Sequence, residues 1–62
     1  MLTKDLQVGD KIIFILNNTM VDGEIAEREQ LEKGDIGFTI KVAENKKMRI
    51  KHRNLNIYYK FN

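Results

Sequence analysis

Val8-Gly9-Asp10-Lys11-Ile12-Ile13-Phe14-Ile15-Leu16-Asn17-Asn18 runs directly into Thr19-Met20-Val21-Asp22-Gly23-Glu24-Ile25. A Gly-Asp turn opens a run of β-branched and aromatic residues, so Lys11 to Leu16 reads as a strand buried on both faces or nearly so. Asn17-Asn18 reads as a hairpin turn, because asparagine tolerates the left-handed conformation best after glycine. In the returning strand, Val21, Gly23 and Ile25 point one way and Asp22, Glu24 and Ala26 the other. Gly23 inside a strand predicts a bulge or a sharp bend.

Further along, Glu27 to Lys33 is too short for a stable helix and reads as a solvated loop or a continuation of the second strand. Gly34-Asp35-Ile36-Gly37 reads as the turn that ends it. Phe38, Ile40 and Val42 alternate with polar neighbours as a half-buried strand, Glu44 to Lys47 turns, and Met48 and Ile50 alternate with Lys47, Arg49 and Lys51. His52-Arg53-Asn54-Leu55 breaks the alternation as one 3₁₀-like turn, before a last strand around Ile57 and Tyr59. The expected core is Ile12, Phe14, Leu16, Val21, Ile25, Phe38, Ile40, Val42, Met48, Ile50, Leu55 and Ile57.

The fold class that follows is all-β: a five-stranded small barrel with a short 3₁₀ turn before the last strand, as a single domain over residues 1–62. Val8-Gly9-Asp10-Lys11-Ile12 with Asp22-Gly23-Glu24-Ile25 resembles the opening of bacterial and phage SH3-like (KOW-like) barrel domains. There, a V-G-D-x-V segment enters the first strand and an x-G-x-V/I segment crosses the bend of the second. The resemblance spans roughly residues 6–60 and implies the barrel fold; it carries over no functional residues. An Sm-like barrel is the neighbouring alternative.

A chain of 62 residues with 42% hydrophobic and 32% charged side chains fits one small globule. At that size only about 60% of the unfolded surface is buried, so the chain needs an efficient closed core or a partner subunit. Self-association is one expectation. No apolar run reaches the ~20 residues of a membrane span, so no membrane contact is expected. Met1-Leu2-Thr3-Lys4-Asp5 turns charged at once, and no secretory leader is expected. There is no Cys, so a reducing, cytoplasmic compartment follows. Abundant Lys, Asn and Ile suggest AT-rich coding, as in a low-GC bacterium or its phages and mobile elements.

With neither Ser nor Cys, and with threonines at ordinary strand or end positions, a nucleophilic enzyme is not expected. His52, flanked by Lys51 and Arg53, reads as a turn residue or part of a basic face. The acids between Asp22 and Asp35 lack the spacing of a metal loop, and neither a metal nor a cofactor is expected.

Charge is divided along the chain. Residues 1–45 hold all nine acids, whereas residues 46–62 hold six cations and no acid. Lys47, Arg49 and Lys51 alternate on one strand face, ~6–7 Å apart, which matches the phosphate spacing of an extended nucleic-acid strand. Lys46 and Arg53 extend the row, and Tyr58 or Tyr59 is expected beside it to stack on bases. The expected function is non-catalytic binding of nucleic acid or another polyanion through this face. The plainer alternative for the row is a solvated sheet face. The other functional class is a small phage or mobile-element protein that inhibits or adapts a host protein, through the acidic segment or a strand edge.

Overall fold

The computed structural model describes residues 3–61. Five strands form one antiparallel sheet: β1 (Lys11–Leu16), β2 (Thr19–Gln30), β3 (Ile36–Ala43), β4 (Lys46–Lys51) and β5 (Asn56–Phe61). Their order across the sheet is β4-β3-β2-β1-β5, so the last strand returns to lie beside the first. Three-residue 3₁₀ turns occur at Thr3–Asp5, Glu32–Gly34 and His52–Asn54. The expected strands and the turn before β5 are present. The sheet does not close into a barrel: β4 and β5 are its two edges, and no strand pairing joins them. Among the described residues no helix is long and apolar enough to cross a membrane.

Turn chemistry fixes the β1–β2 hairpin. Asn17 and Asn18 both take positive φ, +51° and +63°, the two left-handed residues that a tight hairpin between twisted strands needs. Register then runs without a slip from Leu16↔Thr19 to Lys11↔Glu24. The Gly9-Asp10 turn is tied to β2 at its bend: the Gly9 N–H donates to the Ile25 carbonyl (2.8 Å) and the Ile25 N–H to the Asp10 carbonyl (2.9 Å). Asp10 also accepts the Gln7 N–H at 2.9 Å, and the Lys60 ammonium lies 3.9 Å from the same carboxylate.

β2 is the longest strand because the Glu27 segment continues it. A register shift between Ile25 and Glu27 inserts Ala26 as an extra residue against β3. Without it, Ile25 and Glu27 would share a face; with it, Ile25 is fully buried and Glu27 meets solvent. The turn expected at residues 34–37 ends at Asp35 instead. Lys33 (φ +58°) and Gly34 (φ +80°) reverse the chain, and Ile36 and Gly37 already belong to β3.

The core consists of Leu6, Ile12, Phe14, Ile25, Ile36, Phe38, Ile40 and Leu55, with Leu16, Val21, Val42, Met48, Ile50 and Ile57 half-buried around it. Every residue expected in the core is in one of these two groups. Leu6 and Ile36 add to them. Leu6 lies just after the Thr3–Asp5 turn, which is held in place by Arg28 donating to the Lys4 carbonyl (3.0 Å) and by Thr3 Oγ1 donating to the His52 carbonyl (3.0 Å). Gly23 faces this core. A β-carbon there would lie 3.1 Å from Phe14 Cε1 and closer still to Ile40 Cγ2, so β2 is packed to its backbone at this point; Gly23 stays in register opposite Ile12, and the irregularity expected there falls at Ala26 instead.

Candidate polyanion-binding face

Directly opposed residues of antiparallel strands share a face, so the register sorts the charges. On the outer face of β4 stand Lys47, Arg49 and Lys51, all exposed, with Met48 and Ile50 turned toward the core. Across from them on β3 are Lys41, Thr39 and Gly37. One strand further, on β2, these face Glu24, Glu27 and Glu29. The outer surface is therefore banded, with a cationic stripe on the β4 edge and an acidic stripe two strand spacings away, roughly 10 Å.

The bands partly interact. Arg49 reaches across the low Thr39–Gly37 ground to pair with Glu29. Both side chains are well exposed, so the pair adds at most ~1 kcal/mol and yields to competing anions or salt. Arg53 leaves the row altogether. It sits in the 3₁₀ turn and pairs with Asp35 at 3.2 Å. Lys46 begins β4, opposite Ala43.

Lys47 stands directly opposite Lys41. Neither joins any ion pair among the described residues. Like charges opposed across a sheet are unfavourable, and an anion between them removes the repulsion. The sequence places Lys41 on the strand next to the row but does not give its register, and the turn read over Glu44 to Lys47 proves to be Glu44-Asn45, with Lys46 and Lys47 already in β4. A two-residue turn at Glu44-Asn45 would pair Ala43 with Lys46 and then Val42 with Lys47. The observed shift leaves Val42 unpaired and brings Lys41 to Lys47. Nothing in the composition of that hairpin announces the extra residue.

The tyrosines do not adjoin this stripe. β5 is the opposite edge strand, with β1, β2 and β3 between it and β4. Tyr59 pairs with Ile13 and lies edge-to-face against Phe61, ring centroids 5.0 Å apart. Tyr58 falls at the register shift between β5 and β1. The association of an aromatic with the cationic row came from sequence proximity. The fold separates the two, because the 3₁₀ turn carries the chain from one edge of the sheet to the other.

His52 is largely enclosed, its Nε2 3.6 Å from Asp35 Oδ1 and its Nδ1 3.5 Å from Thr3 Oγ1. Thr3, His52 and Asp35 superficially form a nucleophile–base–acid chain. The Thr3 hydroxyl, however, donates to the His52 carbonyl, and the group joins the N-terminal turn to the turn before β5. Among the described residues no three His, Asp or Glu side chains converge as metal ligands would. No protein-family model, curated protein or solved structure matches this chain.

Proposed function

We propose that the chain is a non-catalytic domain of the SH3-like type, with its five-stranded sheet left open between β4 and β5, that binds nucleic acid or a comparable polyanion along β4. The fold part of this reading is supported by the strand order with β5 returning to β1, the close packing over Gly23 and the 3₁₀ turn before the last strand. The functional part is carried by one observation: β3 and β4 together hold Lys41, Lys46, Lys47, Arg49 and Lys51 with no acid on either strand. A run of phosphates laid along β4 meets Lys47, Arg49 and Lys51 at matched spacing and relieves the Lys41–Lys47 repulsion. Base stacking on Tyr58 and Tyr59 is not part of this contact, and the binding is therefore electrostatic and tolerant of sequence.

Fluorescence anisotropy with labelled single- and double-stranded oligonucleotides tests it. With each contact contributing about −0.7 to −0.9 to the slope of log K against log[salt], three or four contacts give roughly −2 to −3. Lys47→Glu combined with Lys51→Glu flattens that slope, while the circular-dichroism spectrum is unchanged because both side chains point to solvent. Absence of binding at ~10 µM protein in ~50 mM salt, where non-specific contacts are strongest, would overturn the reading in favour of a protein partner.

A further inference from the structure

We propose that the β5 edge is a self-association interface, at which two copies of the chain pair their C-terminal strands antiparallel about a twofold axis. The inference is independent of polyanion binding.

The two edges of the sheet differ in kind. On β4, Lys46, Lys47, Arg49 and Lys51 line the edge, and cations on an edge strand deter another strand from pairing. Nearly every antiparallel register of two β4 strands would set at least one cation against another. β5 has the sequence Asn-Ile-Tyr-Tyr-Lys-Phe. It carries no acid, and the ammonium of its single cation, Lys60, is drawn toward Asp10. Only a register centred on Lys60 itself would oppose two charges. The rest of the edge is aromatic and open: Tyr58 is 60% exposed, Tyr59 54% and Phe61 45%. An edge with one cation and three exposed aromatic side chains is a far better template for strand addition than one with four cations.

The surface beside the edge is partly apolar, with Lys11 opposite Phe61 and Asp22 opposite Ile13 as its charged members. Register puts Tyr59 and Phe61 on the outer face with Ile13 and Ile15 of β1, and Met20 of β2 opposite Ile15. Exposed aromatic and aliphatic side chains rimmed by the charges of Lys11 and Asp22 have the make-up of an interface, apolar at the centre and polar at the rim. A second copy is the occupant because the edge is compatible with itself: a twofold axis that sets Tyr58 against Tyr59 of the second copy places Lys60 opposite Ile57, so no two charges meet. The chain also has reason to need one. Eight buried side chains in an open sheet form a small core, and pairing β5 with a copy would satisfy the unpaired backbone groups of that edge.

Sedimentation equilibrium of the full chain from ~5 to ~200 µM, a range that brackets micromolar affinity, is the test. The expected result is a reversible rise from the mass of one chain to twice that mass. Tyr59→Lys and Phe61→Lys, made separately, should each weaken dimerisation about tenfold or more, and Arg49→Glu on the other edge should not. Hydrogen exchange on the unmodified chain gives an answer even if those variants fold poorly: β5 amides become more protected as concentration rises, and β4 amides do not. A single-chain mass throughout, or β5 protection independent of concentration, overturns the proposal and leaves the edge to a foreign strand. A dimer loosened by Arg49→Glu but not by Tyr59→Lys overturns it as well.

Discussion

Gly23 and Asp10 hold the first two strands together in different ways, one by having no side chain and one by what its side chain accepts. At Gly23, any β-carbon enters the space of Ile40 Cγ2, a stiff β-branched group that is itself fully buried. Overpacking of this kind costs ~1–3 kcal/mol, so Gly23→Val should lower the urea unfolding free energy by at least ~1 kcal/mol. A change within ~0.3 kcal/mol would show that β2 can open there without penalty. Asp10 acts through hydrogen bonds instead. Its carboxylate accepts the Gln7 N–H and its carbonyl accepts the Ile25 N–H, so one residue joins the entry turn to β2 next to its register shift. Asp10→Ala keeps the carbonyl and loses the carboxylate; about 1 kcal/mol should go with it, read in the same denaturation experiment. The Gly-Asp pair was visible in the sequence as a turn, but its tie to β2 requires the fold.

Between elements, the strongest expectation concerns Glu29. It is the acid that draws Arg49 across β3, and it adds negative potential beside the cationic stripe. Glu29→Gln removes both effects. Oligonucleotide affinity at low salt should rise about two- to fivefold, since one exposed pair is worth at most ~1 kcal/mol, and stability should change by less than that. Unchanged or weaker binding would mean that Arg49 does not contribute to the contact. Strand positions were legible because period-two alternation survives wherever one face is buried: Phe38, Ile40 and Val42 on β3, and Met48 and Ile50 on β4, all pack as their spacing implied. What escaped the sequence were the one-residue shifts. Ala26 turns Glu27 outward, and the Val42 shift sets Lys41 beside Lys47. Each depends on pairing with a second strand, which a single strand's pattern does not encode. Leu6 was missed because an isolated leucine outside any alternating run gives no periodic signal. Arg53 was placed in the row although a 3₁₀ turn separates it from β4 and Asp35 holds it.

At the scale of the whole molecule, the N-terminal turn is bound to the rest through few contacts: Thr3 to His52, and Lys4 to Arg28. Thr3→Val retains the shape and removes the hydroxyl, and should cost ~0.5–1.5 kcal/mol, the net worth of one hydrogen bond, in thermal or urea unfolding. No loss would show that Leu6 and the Arg28–Lys4 hydrogen bond suffice to anchor the segment. A different consequence arises from the return of β5 to β1. Three hairpin-type pairings, β1–β2, β2–β3 and β3–β4, join neighbours in the chain and close short loops. The fourth brings Phe61 opposite Lys11 and must enclose nearly all the intervening chain. Its entropic cost falls late and is repaid only when the core is already partly assembled. The kinetic barrier to reaching the native state therefore resides in one strand, and so does the first step of its escape: β5 can peel from β1 while the three hairpins remain paired. Pulse proteolysis during refolding reads this out: cleavage is expected to persist until β5 docks, and protection that appears before the β5 amides are paired would place the slow step elsewhere.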